Sequence, residues 1–286
     1  MRTMTGRRDD RSTDQMTAPR TVEDLPSALD GAALSDRLAG RRPAVFLDYD
    51  GVLTPIVARP EDAVWSDAMR RTVRELADRV SVCIVTGRDR DVVQQLMGVD
   101  DLVVAGSHGF DIWSPTHGQI AHDVLTDFTD LITETTETLR TRLDGLDGVG
   151  IEPKRASVAV HYRQASPEVH DRVGAIVETL LQENPDRLAV VPGKMVYELK
   201  PAVDWNKGKA VLHLIEVLGL ASDDVVPLYL GDDITDEDAF RALRGRGIGI
   251  LVGSPDDPEM AGRRTDAEFV LASVDDVERF LSALGR

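Results

Sequence analysis

Asp48 and Asp50 stand two residues apart in the run Asp48-Tyr49-Asp50-Gly51-Val52-Leu53-Thr54-Pro55, directly after the apolar stretch Ala44-Val45-Phe46-Leu47. Residues i and i+2 of an extended segment point the same way, so both carboxylates can face one point in space. Two such anions repel each other, and a divalent cation relieves the repulsion. Taken alone, Asp-x-Asp also describes a solvated turn. Three further elements, in order along the chain, favour chemistry.

Val85-Thr86-Gly87-Arg88 offers a hydroxyl, a glycine and the N–H groups that open a helix, which together make a small anion cradle. Asn206-Lys207-Gly208-Lys209 begins an apolar helical pattern, and a lysine in a first helical turn opposes the macrodipole unless an anion lies near. A further apolar run ends in Gly231-Asp232-Asp233-Ile234-Thr235-Asp236-Glu237-Asp238. Thr235 is expected to cap the helix that follows, with Asp236, Glu237 and Asp238 complementing its dipole. Asp232 and Asp233 precede that cap and need another reason, since they sit at a strand end as Asp48 and Asp50 do.

These parts compose a phosphotransfer reaction. Asp48 attacks phosphorus to form an aspartyl-phosphate, and Asp50 protonates the leaving alkoxide and then deprotonates the hydrolytic water. Oxygen ligands suit Mg²⁺, which with Thr86 and Lys207 neutralises the phosphoryl oxygens; the lack of a His or Cys cluster argues against zinc. Of the histidines, His108 and His161 lie in functional segments.

The elements that must position these groups follow from the hydrophobic pattern. Strands are expected at Ala44–Leu47, Ser81–Val85, Leu102–Ala105, Val225–Leu230 and Ile248–Val252, separated by amphipathic segments, one of them capped by Ser66. That alternation describes an α/β fold with a parallel, Rossmann-like sheet. Between residues 111 and 201 the rhythm changes to αββαββ, a small α+β unit inserted into the parallel domain. The expected organisation is a tail over 1–42, partly disordered, a core over 43–110 and 202–286, and an insert over 111–201.

The chain has 286 residues, 42% of them hydrophobic, and a formal net charge of -17. Such a charge argues against nucleic acid and anionic membranes as partners. Cys83, the single cysteine, lies in the apolar run Val82–Val85, so it is expected to be a buried structural thiol. With no apolar run long enough to span a bilayer and no hydrophobic signal core, a soluble, cytoplasmic, monomeric protein is expected.

The four elements, in this order at strand ends, resemble those of the haloacid dehalogenase superfamily. Asp48–Ile56, Gly106-Ser107-His108-Gly109 and Gly231–Phe240 are similar, over a chain length running from about Pro43 to the C-terminus, to trehalose-6-phosphate phosphatases. The resemblance implies a haloacid dehalogenase core with a cap domain, and hydrolysis of trehalose 6-phosphate with Mg²⁺. It implies Asp48 as nucleophile, Asp50 as acid/base and Thr86 and Lys207 as phosphate holders. Asp48, the Asp50 carbonyl and Asp232 are implied as metal ligands. Gly87, Arg88 and His108 from the core and Glu152, Arg163, Lys194 and Glu198 from the cap are implied to bind substrate. Family members carry Glu soon after Gly-Ser-His-Gly, where this chain has Phe110-Asp111, a carboxylate of shorter reach. Many of them carry a linked synthase domain, and a free-standing phosphatase is expected for these 286 residues.

Other readings keep parts of this chemistry. Phosphatases acting on sucrose 6-phosphate or glucosylglycerol phosphate differ only in the cap. A phosphomutase needs its cap between Asp48 and Thr86, where one helix fills the interval. A silent sugar-phosphate sensor conflicts with intact Asp48, Asp50, Lys207 and Asp232.

Overall fold

A computed structural model describes residues 19–57, 59–121, 128–193, 195–258 and 260–285. The large sheet has eight strands, in the order β14 (Phe269–Leu271), β12 (Ile248–Val252), β11 (Val225–Gly231), β2 (Arg42–Leu47), β3 (Val82–Val85), β4 (Val103–Gly106), β5 (Asp111–Ser114) and β6 (Gly118–Ile120). The first six run parallel, while β5 and β6 add an antiparallel edge.

Strands buried on both faces read as continuous apolar runs, and alternate residues serve opposite layers. Val45 and Leu47 pack with α1 (Gly31–Leu38), α2 (Asp67–Ala77), α3 (Arg90–Met97) and α8 (Val274–Leu284). Phe46, Cys83 and Tyr229 pack with α6 (Lys207–Val217) and α7 (Glu237–Leu243) on the other side. Each fully buried Leu or Phe contributes about 1.5–3 kcal/mol relative to an exposed one. Burial of Cys83 pushes its thiol up to about 12, so it is inert packing, as expected.

A second sheet runs β7 (Gly150–Pro153), β8 (Val158–His161), β10 (Val196–Pro201), β9 (Leu188–Gly193), all antiparallel. Helices α4 (Thr129–Arg142) and α5 (Pro167–Glu183) cover one face through Leu139, Val173 and Val177 packed on Val158, Val160 and Leu199. The opposite face carries Glu152, Ala159 and Glu198 in a row across three strands, set by the register Glu152↔Ala159↔Glu198. The order is αββαββ, as the sequence pattern implied.

Two expectations need correction. Residues 111–120 were grouped with the insert, yet β5 and β6 hydrogen-bond to the edge of the large sheet. Their short run lacks the helical crossover that a parallel strand requires, so they return as a hairpin. Residues 20–38 were grouped with a tail, yet β1 (Arg20–Thr21) pairs with β13 (Arg264–Thr265), and Val22, Leu25 and Ala28 are buried. Sparse apolar spacing hid them. Among the described residues, no helix is long and apolar enough to cross a membrane.

Strand register brings the site to one edge. Leu47 lies beside Leu230 and Ile84, and Val85 beside Ala105, so the residues that follow each strand emerge together at the carboxyl ends, where open parallel sheets bind ligands. Ser66 caps α2 by accepting from the Met69 N–H (3.0 Å), as the sequence suggested. Replacing Ser66 by Ala is expected to lower unfolding stability by about 1 kcal/mol in urea titrations, without changing the slope.

Candidate active site

Asp48 follows β2 directly, and its N–H donates to the Leu230 carbonyl (2.9 Å). Lys207 opens α6, whose first turn is capped by Asn206 accepting from the Lys209 N–H (2.9 Å). Its Nζ donates to Asp48 Oδ2 (2.6 Å) and Asp236 Oδ1 (2.7 Å). All three side chains are buried. The lysine that the helix dipole disfavours is therefore held by two carboxylates.

Asp236 is the residue that sequence reasoning missed. Helix-dipole complementarity accounted for it there, but it is 0% exposed and accepts four hydrogen bonds. Oδ1 takes Lys207 and the Tyr229 hydroxyl (2.7 Å); Oδ2 takes the N–H groups of Asp232 and Asp233 (2.9 Å each). Burial opposes its charge, yet Lys207 and these donors hold its carboxyl below the usual range. Gly231 was the available signal, since a Cβ there would lie 2.3 Å from the Asp236 carboxyl carbon. The expected cap at Thr235 is also corrected: Asp233 caps a 3-10 turn (Ile234–Asp236) in a capping box with Asp236, and α7 follows. A carboxylate two residues earlier reaches the turn's first N–H groups, which Thr235, inside the turn, cannot.

Asp232 lies beneath the Asp50-Gly51 turn. Gly51 has φ of +70°, and a Cβ there would come 2.1 Å from the Asp232 carboxylate. Burial, then the charges of Asp48 and Asp236, push Asp232 up to about 8. Burial likewise raises Asp48 to about 7, with Lys207 opposing and Asp236 adding to the shift. Asp48, Asp232 and Asp236 bring carboxylate oxygens within 4.8 Å of one another. Because Asp236 is saturated by its donors, Asp48 and Asp232 are the carboxylates left for a cation. An all-oxygen donor set and two carboxylates raised by burial and by neighbouring carboxylates fit a hard divalent ion.

Asp50 and Arg88 meet in a bidentate pair, Nε to Oδ2 and Nη2 to Oδ1, both 2.7 Å. Arg88 also donates to the Pro60 carbonyl (2.8 Å) and lies over the Tyr49 ring. Arg88, implied by the resemblance as a substrate contact, is paired with Asp50 in this arrangement. Thr86 is buried and its Oγ1 accepts from the Arg88 N–H (3.2 Å). His108, in the left-handed region at φ +56°, donates its N–H to the Thr86 carbonyl (2.8 Å). Its ring lies against Gly87, where a Cβ would approach to 2.7 Å. Burial and the Lys207 charge hold His108 down at about 4, so it is a neutral imidazole.

The second sheet faces this edge with Glu198. Despite burial, Lys154 (3.3 Å) and the Ser157 hydroxyl (2.6 Å) hold Glu198 below the usual carboxylate range. Lys154 and Ser157 were not singled out from the sequence, although both lie in the turn beside Glu152. Glu152 pairs with His161 (2.8 Å) on the same face. Arg163 is exposed beyond β8. Lys194 lies outside the described residues. Asp111 is buried in β5 and binds Arg90 (2.9 Å), Gln119 (2.9 Å) and Arg155 (3.4 Å), so its shorter reach serves the junction between the two sheets.

The family model described as trehalose-phosphatase matches residues 46–274. A probable trehalose-phosphate phosphatase of Oryza sativa subsp. japonica is 38% identical over 277 residues, covering 95% of this chain and 73% of that protein. A trehalose-phosphate phosphatase of Mycobacterium bovis is 38% identical over 271 residues, covering 94% and 68%. The C-terminal domain of a C. albicans trehalose-6-phosphate phosphatase shares the fold, with a TM-score of 0.72 at 24% identity over 91% of this chain and 98% of that one.

The raised Asp232 carboxyl has a consequence for stability. Its native value near 8 exceeds the unfolded value of about 4, so its contribution is complete below pH 4 and lost as pH rises through 8. His108 acts in the opposite direction, but only below about pH 6.5. With divalent cations chelated, the native protein is expected to lose melting temperature relative to Asp232→Asn between pH 6.5 and 8. A difference that does not vary with pH shows a hydrated Asp232.

Proposed function

The chain belongs to the trehalose-phosphatase family, within the haloacid dehalogenase superfamily, and we propose that its reaction runs through Asp48 and Asp50 with Lys207 as the fixed cation. It is a phosphoric monoester hydrolase that releases phosphate from trehalose 6-phosphate, which places it in trehalose biosynthesis. The observation that carries the reading is the buried Asp48–Lys207–Asp236 set opposite the sheet face bearing Glu198.

Asp48 supplies the attacking oxygen. A new P–O bond forms to its carboxylate as the bond from phosphorus to the sugar oxygen breaks, giving an aspartyl-phosphate and trehalose. Asp50 delivers a proton to the departing sugar oxygen. A water molecule, deprotonated by Asp50, then attacks phosphorus and breaks the acyl-phosphate bond, returning Asp48 and inorganic phosphate. Because Arg88 occupies both Asp50 oxygens, the pair must open before Asp50 can carry a proton. Lys207 stays with Asp48 throughout and balances negative charge at the phosphoryl oxygens, joined by the Thr86 hydroxyl and the N–H groups beyond it.

Asp48, Asp232 and the Asp50 carbonyl would hold Mg²⁺, which when bound screens the carboxylates from the phosphate and polarises its oxygens. Neutral His108 donates or accepts a hydrogen bond at the sugar without adding charge. Glu198, kept ionised by Lys154, accepts from sugar hydroxyls, with Glu152, Arg163 and Lys194 completing the cap side.

Asp48→Asn is expected to leave the circular dichroism spectrum unchanged and to lower phosphate release at least about 10⁴-fold, and retained turnover contradicts the covalent route. Glu198→Ala is expected to reduce kcat/KM for trehalose 6-phosphate by about 10–100-fold while p-nitrophenyl phosphate hydrolysis changes by less than about threefold. Phosphate release should be measured over a panel that includes sucrose 6-phosphate and glucosylglycerol phosphate. Equal losses on every substrate remove Glu198 from sugar selection, and faster release from another sugar phosphate reassigns the substrate.

A further inference from the structure

Arg263 lies in the loop between β12 and β13, and none of the roles above uses it. Its Nη1 donates to the Asp232 carbonyl (2.7 Å) and its Nη2 to the Asp233 carbonyl (2.8 Å). Asp236 already holds the N–H groups of the same two residues. All four backbone polar groups of the acidic turn are therefore fixed by two side chains, one local and one from a distant loop. A planar guanidinium can span two successive carbonyls with little freedom left to either, which a flexible ammonium cannot do. Glu237 Oε1 stands 3.3 Å from the same guanidinium and balances its charge, so the contribution of Arg263 is geometric. An unbalanced cation beside Asp232 would repel the ion that Asp232 is read to bind.

The loop carrying Arg263 is gripped on both sides by the N-terminal segment. β1 pairs with Arg264 and Thr265, the Val22 N–H donates to the Arg263 carbonyl (3.1 Å), and Glu23 Oε1 accepts from the Gly262 N–H (2.7 Å). Val22 is fully buried, which anchors the grip in the core. Through Arg263, residues 20–23 reach the turn that presents Asp232.

We propose that Arg263, held by residues 20–23, is a positioning residue that sets the Asp232-Asp233 turn for divalent-cation binding. It rests on the reading of Asp232 as a cation ligand. A merely structural role would lower melting temperature without changing cation affinity or local exchange.

The test is a calorimetric titration of Mg²⁺ into the metal-free full-length protein, without substrate, together with amide hydrogen exchange. Arg263→Met is expected to raise the Mg²⁺ Kd about tenfold and to speed exchange at residues 231–236. Arg263→Lys should fall between Arg263→Met and the native protein, since an ammonium on a flexible stem holds two successive carbonyls less rigidly than the planar guanidinium fork. Glu23→Ala, at an exposed position, should raise the Kd two- to threefold and speed exchange at 260–265, and it carries the test if Arg263→Met fails to fold. Native-like affinity and exchange in the Arg263 variants, or in Glu23→Ala where those do not fold, overturn the proposal. Asp232→Asn separates the two readings: native-like Mg²⁺ affinity there removes the ligand assignment, while the exchange data still decide whether Arg263 fixes the turn.

Discussion

One buried ammonium organises the site. Lys207 sits between Asp48 and Asp236, each within 2.7 Å, and the three side chains are almost wholly removed from water. Such an arrangement persists only when its remaining hydrogen-bonding positions are filled, because desolvating a charge costs several kcal/mol. Tyr229 and two backbone N–H groups fill those of Asp236, and the Tyr49 N–H fills one on Asp48 Oδ1 (2.7 Å). Removing a single member strands a buried charge, at a cost of about 3–5 kcal/mol. The same saturation decides roles. Asp236 has no lone pair to spare and buttresses, whereas each Asp48 oxygen accepts one hydrogen bond from Lys207 or the Tyr49 N–H and has capacity for a second.

In the proposed mechanism, phosphoryl chemistry and sugar recognition are divided between two sheets. The parallel sheet presents its strand ends, where backbone N–H groups, Lys207 and acidic oxygens converge. The antiparallel sheet presents a face on which Glu152 and Glu198 lie in one row, with a hydrophobic layer behind it. A flat face of alternating side chains suits the hydroxyls of a disaccharide, because spacing along and across strands can match several of them at once. Altering that face alters the sugar without touching phosphoryl chemistry, which is how one fold serves many phosphate esters.

How much was readable from sequence followed from how local each cause was. Strand ends, the Ser66 cap and the αββαββ order are local periodicities; Asp48, Thr86 and Asp232 stood out because each lies at the end of an apolar run, and Lys207 because it opens an apolar helical pattern. Asp236 was hidden by a sufficient local explanation, the helix dipole, although its real partners come from α6 and β11. Arg263 and Lys154 were hidden for a similar reason: an isolated cation in a loop looks like a solvated one until its partner, far away in sequence, is known. β5 and β6 were misplaced because a short antiparallel return has no signature distinguishing which sheet it joins. The ordered stretch at residues 20–38 buries few side chains, so its apolar spacing is too thin to reveal that it pairs with β13.

The junction between the sheets is polar at its rim. Arg155, in the β7–β8 turn, donates its N–H to Asp89 Oδ2 (3.0 Å) and reaches Asp111, which Arg90 and Gln119 hold from below. Arg155 is 58% exposed, and an ion pair with so wet a partner contributes about 0–1 kcal/mol. Asp111 does not depend on it, since Arg90 and Gln119 already occupy both of its oxygens. Parting Arg155 from the core therefore leaves no buried charge unpaired, unlike parting Lys207 from Asp48. Separation at the Arg155 contact therefore costs little, whereas parting Lys207 from Asp48 costs several kcal/mol. A substrate touching both His108 and Glu198, as proposed, would add contacts to the joined arrangement alone, and its binding free energy would then favour that arrangement and exclude water.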